Sequence, residues 1–348
     1  MFTIDEFPGR EITVQGKNFL YFGGTAYLGL QTDPEFQSFF IANVKKFGTG
    51  YGASRKSNVQ ISVFEKTETY LTNIVGSEAC ITLSSGYLAG QLVCDYFSQA
   101  AYQLFYAPNT HSALYRNGQF IYQDWSTLTD DLLKSLNLLN EKTPVIFLDS
   151  VDFEGVNFPD FNSLKSLPLE KIILVVDDSH GIGITGDYGG GSYRYLESLN
   201  PKELVVSCSL GKGFGLQAGA IFSSLRCIEN LRNTQFYGGA SPATPAAMAT
   251  LLDADSIYPT KRKRLSENTR FFLEQVQNLA LFSFTSGHPA FSFQNQKLSE
   301  KLEQERILVT NFRYPTSTSP LMSRIVLSAL HTNDDIKKLC TIINSYNS

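Results

Sequence analysis

The sequence lacks several features that would assign it to a class of protein at once. It has only four histidines and five cysteines in 348 residues, with no C-x-x-C spacing. Scattered cysteines of this kind are typical of reduced core residues in a cytoplasmic protein, and no metal site is predicted. The cysteines are Cys80, Cys94, Cys208, Cys227 and Cys340.

Long apolar runs and an excess of positive charge are also missing. No run is long enough to span a bilayer, and the start of the chain lacks the basic-then-apolar pattern of a secretory signal. The net charge of −4 and the pI of about 5.7 argue against nucleic acid or an anionic membrane surface as the main partner.

The order of predicted elements indicates an α/β protein. With 348 residues, 43% of them hydrophobic, the chain is long enough for two domains. Strands alternate with helices up to about Pro242, which predicts a mostly parallel, doubly wound sheet in a large domain. We predict that the large domain spans residues 46–240. A smaller α+β domain is predicted from residues 1–45, which contain a hairpin, and from residues 241–348. The predicted strands lie at 11–22, 80–85, 103–107, 119–122, 144–149, 171–177, 203–208 and 218–223, and the predicted helices include 33–46, 63–74 and 261–280.

Two strand ends carry the side chains with the clearest chemistry. The apolar run that begins at Ile172 ends in Asp177, and His180 follows three residues later. A second buried run ends in SLGKGFG, where Lys212 lies between two glycines. Open α/β sheets bind ligands beyond the carboxyl ends of their strands. We expect the two strand ends to face one cofactor, whereas Asp178 points to the opposite face of its strand.

Each of these residues also has an ordinary structural explanation. An isolated lysine is more often a surface residue, a strand-terminal aspartate often caps a helix, and a lone histidine is usually structural. A nucleotide phosphate loop is excluded, because Val206 and Gly213 stand where that motif needs glycine and Ser or Thr. The occurrence of Asp177, His180 and Lys212 together favours a site with a Schiff-base lysine.

Two weaker signals lie earlier in the chain. Ser85, Gly86 and Tyr87 form a strand-to-helix turn of the kind that binds phosphate at a helix N-terminus. A Ser-Gly pair is common in such turns, so the pair alone is weak support. His111 follows a predicted strand end and could stack over a flat ring, although a loop histidine is the simpler explanation.

Several of these segments, in this order, resemble the α-oxoamine synthases. This family of fold-type I pyridoxal-phosphate enzymes includes 8-amino-7-oxononanoate synthase and serine palmitoyltransferase. The resemblance covers nearly the whole chain and is most specific in the DDSHG and GKGFG blocks. The matching segments are AYLGL (26–30), GYGASR (50–55), LSSGYLAG (83–90), NTHSAL (109–114), VVDDSHGIGITGDYGGGS (175–192), SLGKGFG (209–215) and RIVLSALHT (324–332).

The resemblance implies a role for each matching residue toward pyridoxal phosphate. Lys212 would bind the cofactor as a Schiff base and assist proton transfer. Asp177 would pair with the pyridine nitrogen, His180 would bond the phenolic oxygen, and His111 would stack on the ring. These four residues are the predicted catalytic set.

The phosphate and the substrate carboxylate have implied partners as well. The turn of Ser85, Gly86 and Tyr87, with the Ser209 hydroxyl, would hold the phosphate. Arg324 occupies the place of the arginine that binds the substrate carboxylate, which suits bidentate recognition.

The chain departs from the family pattern at positions near the substrate and the phosphate. Thr25 replaces an asparagine that contacts the substrate carboxylate, and Asp152 replaces a serine near the phenolic oxygen. Gly239 replaces a Thr or Ser that reaches the partner subunit's phosphate, and Val59 replaces a glycine. This pattern suggests retained cofactor chemistry with an altered substrate.

The leading hypothesis is a cytoplasmic homodimer, with a shared active site, that condenses an amino acid with an acyl-CoA or acyl-carrier thioester. One alternative keeps the cofactor and changes the reaction to transamination or to a lyase reaction without acyl-CoA. Another is a degenerate family member that serves as a binding or scaffold protein. The presence of Lys212, Asp177 and His180 together argues against that last alternative.

Overall fold

The structure is a computed structural model that describes residues 2–116, 118–137, 142–314 and 316–346. The strands are β1 (Glu11–Val14), β2 (Lys17–Phe22), β3 (Ala79–Leu83), β4 (Tyr102–Tyr106), β5 (Thr143–Asp149), β6 (Ile173–Asp177), β7 (Glu203–Ser209), β8 (Gly219–Ser223), β9 (Ser283–Phe284), β10 (Ala290–Phe293), β11 (Ile307–Arg313) and β12 (Leu321–Val326). The α-helices are α1 (Pro34–Phe47), α2 (Val63–Val75), α3 (Gly86–Phe97), α4 (Trp125–Asn137), α5 (Asn162–Lys165), α6 (Tyr193–Ser198), α7 (Leu210–Gly213), α8 (Leu225–Arg232), α9 (Gln235–Gly239), α10 (Pro245–Asp253), α11 (Ile257–Gln275), α12 (Gln296–Gln304) and α13 (Asn333–Ser345). Within the described ranges, no helix is long and apolar enough to cross a membrane.

The chain divides into two compact units. The smaller unit consists of residues 1–37, 153–155 and 256–348, and the larger unit of residues 38–152 and 156–255. The three residues 153–155 come from the middle of the chain but belong to the smaller unit. The domain boundaries predicted from the sequence stay a prediction.

The larger unit is built on a six-stranded sheet in the order β3-β8-β7-β6-β5-β4. Strands β4 to β7 run parallel, whereas β8 is antiparallel to both of its neighbours. Every residue of β3, β6 and β8 is buried, which explains why these segments read as continuous apolar runs. The mostly parallel sheet confirms the predicted fold class.

The smaller unit holds the second six-stranded sheet, in the order β1-β2-β11-β12-β10-β9. The predicted hairpin is confirmed as β1 and β2, and β11 pairs in parallel with β2. Residues two apart on a strand share a face, so Met322, Arg324 and Val326 of β12 lie on one side of this sheet. Thr310 and Phe312 of β11 lie opposite Arg324 and Met322. This face carries the predicted substrate arginine.

Two predicted elements differ from the structure. The strand predicted at residues 119–122 is wrong, because this segment makes only an isolated bridge between Tyr106 and Ile121. Ile121 is half-buried against the core, but Phe120 is 67% exposed, so too little of the run is buried to hold a strand in the sheet. The helix predicted at 261–280 begins earlier and ends earlier, as α11. Pro259 lies in its first turn, where a missing N–H costs no helical hydrogen bond.

A buried ion network fixes the loop that contains the GYGASR segment. Glu68 on α2 is 5% exposed and pairs with Arg55 at 2.8 Å and with Arg232 at 3.2 Å. It also accepts the Thr82 N–H at 2.9 Å, which ties α2 to β3. The Arg55 guanidinium lies 4.2 Å from the centre of the Phe64 ring. The network therefore holds Arg55, the last residue of this segment, beside β3 of the large sheet.

Removing the acid of this network is expected to destabilise the fold. Glu68→Ala leaves the largely buried Arg55 without its partner, and we expect a loss of about 3 kcal/mol in the free energy of unfolding. Glu65→Ala changes an exposed acid in the first turn of the same helix and should cost under about 1 kcal/mol. Urea unfolding of both variants measures the difference. Equal losses would contradict the role given to Glu68.

Candidate active site

The carboxyl ends of three parallel strands meet in register in the larger unit. Asp149 of β5 lies opposite Asp177 of β6, and Asp177 lies opposite Ser207 of β7. The side chains that follow these strand ends therefore collect at one edge of the sheet, as the sequence predicts. Asp149 is a member of this row that the sequence analysis did not select.

The glycine-rich segment around Lys212 packs directly on the loop that follows Asp177. The Lys212 amine lies 2.8 Å from Nε2 of His180. A side chain at Gly213 would collide with the Ile182 carbonyl oxygen, so glycine is required for this approach. The structure thus brings together the lysine and the histidine that the sequence predicted from separate strands.

Serine side chains connect the same two segments. Ser179 accepts the Ser209 N–H through its hydroxyl at 2.9 Å. Ser209 in turn caps the short helix α7 by accepting the Gly211 N–H. Lys212 therefore lies on a short helix whose first turn is fixed by the hydrogen bonds of Ser209. These bonds hold Lys212 close to the segment that contains Asp177 and His180. Ser179 was missed because a serine between two stronger residues gives no signal in the sequence.

The adjacent acids Asp177 and Asp178 have different surroundings. One oxygen of Asp177 accepts the Ser179 N–H at 2.8 Å. Asp178 is 1% exposed, and its oxygens accept the Ser150 hydroxyl and, at 2.9 Å, the Ser192 N–H. Burial raises the pKa of Asp178 to about 6 despite these hydrogen bonds. Asp178 thus connects the segments that contain Ser150 and Ser192. This structural role is expected for a side chain that points to the face of the strand opposite to Asp177.

His111 is fixed beside the row of strand ends. Its backbone N–H donates to Asp149 at 2.9 Å, and its Nδ1 accepts the Ala113 N–H at 3.2 Å. Burial lowers the pKa of His111, and the Lys212 charge lowers it further while Asp177 opposes the shift. Burial, together with the charge of Asp177, raises the pKa of Asp149 well above its ordinary value. His111 is therefore a neutral imidazole at neutral pH, and its backbone is held by the Asp149 carboxyl group.

The turn of Ser85, Gly86 and Tyr87 lies against Ser209. Ser85 caps α3 by accepting the Leu88 N–H at 3.1 Å, so the N–H groups that follow it begin a 12-residue helix. A Cβ atom at Gly86 would lie 2.6 Å from Cβ and 2.7 Å from Cα of Ser209. Tyr87 is 58% exposed. The helix N-terminus and the Ser209 hydroxyl are thus neighbours, which is the arrangement that a phosphate group requires.

Asp152 has a local structural task. Its carboxylate accepts the Val156 N–H at 3.1 Å and the Asn157 N–H at 3.0 Å, so it closes the turn that follows β5. These bonds hold the turn in which Phe153 and Gly155 have left-handed backbone angles. Of the other departures, Gly239 has no atom within 4 Å of where a Cβ would lie, and Val59 is 68% exposed.

The two predicted substrate residues lie in the smaller unit. Arg324 projects from β12, and its guanidinium carbon lies 3.6 Å from the centre of the Phe153 ring. Its Nε is buried without a hydrogen-bond partner among the described residues. Thr25 lines the same cavity as Arg324, together with the fully buried Tyr27. Phe153 was missed because its contact with Arg324 joins residues 171 positions apart, so no local pattern indicates it.

Comparison with solved structures shows which known fold the protein has. Serine palmitoyltransferase from Sphingomonas wittichii matches with a TM-score of 0.81 at 19% identity, over 99% of this chain and 91% of that chain. The 8-amino-7-oxononanoate synthase from Francisella tularensis matches with a TM-score of 0.71 at 22% identity, over 94% of this chain and 97% of that chain. The protein therefore has the fold of these transferases.

The sequence comparisons give the family. The profile of the family aminotransferase class I and II matches residues 75–343, and the chain belongs to this family. The 8-amino-7-oxononanoate synthase from Hahella chejuensis is 27% identical over 363 residues, which cover 99% of this chain and 91% of the relative. These similarities confirm the resemblance predicted from the motifs.

Proposed function

We propose that the protein is a pyridoxal-phosphate-dependent transferase that condenses an amino acid with an acyl thioester. The observation that carries the proposal is the position of the Lys212 amine, 2.8 Å from His180, on the loop beyond Asp177. The similarity to 8-amino-7-oxononanoate synthase over nearly the whole chain supports the reaction type. Pyridoxal phosphate supplies an electron sink for charge that develops at the α-carbon of an amino acid.

The residues of the larger unit fit this cofactor. The close packing of Gly86 on Ser209 brings the start of α3 beside the Ser209 hydroxyl, because any side chain at Gly86 would meet Ser209 at 2.6–2.8 Å. The N–H groups of Gly86 and Tyr87 after the Ser85 cap, with the Ser209 hydroxyl, would hold the phosphate. Asp177 would bond the protonated ring nitrogen, and His180 would bond the phenolic oxygen.

Lys212 and His111 would lie next to the reacting atoms, and Lys212 would transfer the proton. The Lys212 amine would bind the cofactor covalently, and once released it would accept the proton of the α-carbon. His111 would stack on the ring. Its lowered pKa, caused mainly by burial, keeps it uncharged. Asp149 accepts the backbone N–H of His111 and would thereby keep this residue in place beside the ring.

The substrate carboxylate would bind Arg324. This arginine makes no salt bridge in the part of the chain that the structure describes, and Phe153 covers one face of its guanidinium. A planar guanidinium with free edges suits bidentate binding of a carboxylate. Thr25, on the same cavity wall, would contact that carboxylate in place of the family's asparagine.

The reaction is tested by thiol release. Purified, cofactor-loaded protein is supplied with single amino acids, with and without a series of acyl-CoA thioesters, and free thiol is measured. We expect release only when an amino acid and a thioester are both present. Keto-acid or ammonia production without thiol release from any acyl-CoA would overturn the proposal in favour of transamination or a lyase reaction.

We also propose that the protein acts as a cytoplasmic homodimer with an active site that both subunits complete. The family resemblance supports the dimer, and the exposed Gly239 at the end of α9 stands where the resemblance implies contact with the partner subunit's phosphate. All five cysteines are buried thiols, which suits a reducing compartment. Light scattering of the loaded enzyme at micromolar concentration tests the dimer, and a monomer with full activity would contradict it.

The contact between Gly86 and Ser209 predicts an effect on cofactor binding. In Gly86→Ala, the new methyl group would lie 2.6 Å from Ser209, so the helix start must move away from the hydroxyl. We expect the dissociation constant for pyridoxal phosphate to rise about tenfold or more, through the loss of charge-assisted bonds of about 1.5–3 kcal/mol. Fluorescence titration of the apoenzyme measures it. Gly50→Ala is the control, since no atom lies within 4 Å of that position, and equal weakening in both variants would contradict the prediction.

A further inference from the structure

A cavity of about 940 Å³ lies in the smaller unit, and its size exceeds what a small amino acid needs. Its floor is one face of the sheet formed by β1, β2, β11 and β12. The face follows from the strand register, since Leu308 pairs with Tyr21, Thr310 with Arg324 and Phe312 with Met322. Pockets of this volume in proteins hold ligands of drug size.

One end of this cavity carries the cationic side chain of Arg324. Arg324 makes no salt bridge within the described ranges, and its buried Nε has no hydrogen-bond partner there. Burial lowers the pKa of Arg324, although Tyr27 and Glu154 oppose the shift, so keeping the buried guanidinium charged costs free energy. The Phe153 ring covers one face of the guanidinium at 3.6 Å. Phe153 also adopts a left-handed backbone angle, φ 61°, which a bulky residue rarely adopts without compensation.

The rest of the cavity wall is mainly apolar. The other two charged lining residues, Glu303 and Arg313, are exposed, and Arg313 already donates to the Ser319 carbonyl at 2.6 Å. The apolar lining residues on the sheet face are Ile12, Tyr21, Leu308, Phe312, Met322 and Val326. A ligand that fills this space therefore has an anionic end and an apolar body.

We propose that this cavity binds an aliphatic carboxylate of medium chain length, with its carboxylate on Arg324 and its chain along the apolar sheet face. The inference rests on the proposed function, because it makes Arg324 the site of the substrate carboxylate. It adds the substrate class: the amino acid carries a long apolar side chain. Thr25 is the residue of this cavity wall that departs from the family pattern, and the Phe153 ring covers one face of the Arg324 guanidinium.

Calorimetry of the cofactor-loaded full chain with unreactive probes tests the site. Each added methylene should raise affinity about three- to fourfold, so we expect octanoate to bind at least about a hundredfold more tightly than acetate. Octylamine, which has the same chain and the opposite charge, should not compete. Equal affinity for octanoate and acetate, or tight binding of octylamine, would overturn the proposal.

Three variants locate the two ends of the ligand. Arg324→Gln should weaken octanoate at least about tenfold, as expected for a lost charge-assisted bond, whereas the matched control Arg313→Gln should change it by less than about twofold. Met322→Trp, on the same strand face as Arg324, should remove octanoate binding and leave acetate unchanged. Phe312→Ala shortens a side chain that is half-exposed, so this variant is expected to fold. It should weaken the binding of octanoate but not of acetate, which gives a second test if Met322→Trp does not fold. An unchanged octanoate affinity in all variants would overturn the assignment.

Failure of this inference can be told apart from failure of the proposed function. Thiol release with 2-aminooctanoate should exceed that with alanine at least about tenfold in kcat/KM, as expected when several methylenes are buried. Thiol release with alanine but no octanoate binding would overturn the inference and leave the reaction standing. A third outcome is that the unaltered protein does not bind octanoate and that Met322→Trp changes the association of the subunits. This sheet face would then be a subunit contact, and the inference would fail. Octanoate binding through Arg324 with no thiol release from any amino acid would instead refute the reaction.

Discussion

Replacing Lys212 with alanine is expected to abolish covalent attachment of the cofactor and to lower the condensation rate at least about 10⁴-fold. The cause is the loss of both the amine that binds the cofactor and the base 2.8 Å from His180. Visible absorbance of freshly prepared protein and the mass after borohydride reduction measure attachment, and thiol release measures the rate. Free cofactor should still be bound, because the Gly86 turn and Ser209 are unchanged.

Lys202→Ala is the matched control for this experiment. Lys202 is an exposed lysine of the same unit whose amine donates to the Thr143 hydroxyl at 3.1 Å. We expect unchanged absorbance and a rate within about twofold, as for surface substitutions away from a site. A borohydride adduct that persists in Lys212→Ala would contradict the assignment of Lys212.

The second large effect is expected from Asp177→Asn. An amide cannot hold a proton on the ring nitrogen by charge, so we expect kcat to fall about 10³-fold, within the range for loss of one preorganised electrostatic contact. Covalent attachment through Lys212 should remain. Rate measurements with a fixed amino acid and thioester, together with the absorbance spectrum, separate these two effects.

The neighbouring acid Asp178 provides a control, because its replacement should lower stability and should have little effect on the rate. Asp178→Ala leaves the Ser150 hydroxyl and the Ser192 N–H without their acceptor, so we expect a loss of about 2–4 kcal/mol in the free energy of unfolding. The rate per folded molecule should change by less than about tenfold, because Asp178 lies beneath the strand end. If Asp178→Ala lowered kcat as much as Asp177→Asn, the division of roles between the two acids would be wrong.

The sequence was most informative about the larger unit. Fully buried parallel strands such as β6 are apolar on both faces, so their ends are visible in the sequence as the first polar residues. That is why Asp177 and the segment that contains Lys212 were predicted at one edge of the sheet. The segment 119–122 shows the limit of this argument, because it has the composition of a strand although its Phe120 is exposed and only part of the run is buried.

Contacts between distant residues could not be predicted. Asp149 joins the site through its register with Asp177 and through its bond to the His111 N–H, and neither is visible before strands are paired. The stacking of Phe153 on Arg324 depends on a strained turn that brings residues 153–155 into the smaller unit. Asp152 stays a predicted acid near the cofactor's phenolic oxygen, and the structure adds that its carboxylate accepts backbone N–H groups of that turn.

The most direct test of the central claim is the location of the cofactor on the chain. The loaded protein is reduced with borohydride and digested, and the modified peptide is identified by mass spectrometry. The account predicts a single modified peptide, the one that contains SLGKGFG with the cofactor on Lys212. A modification on another lysine, or none on protein that catalyses thiol release, would contradict it.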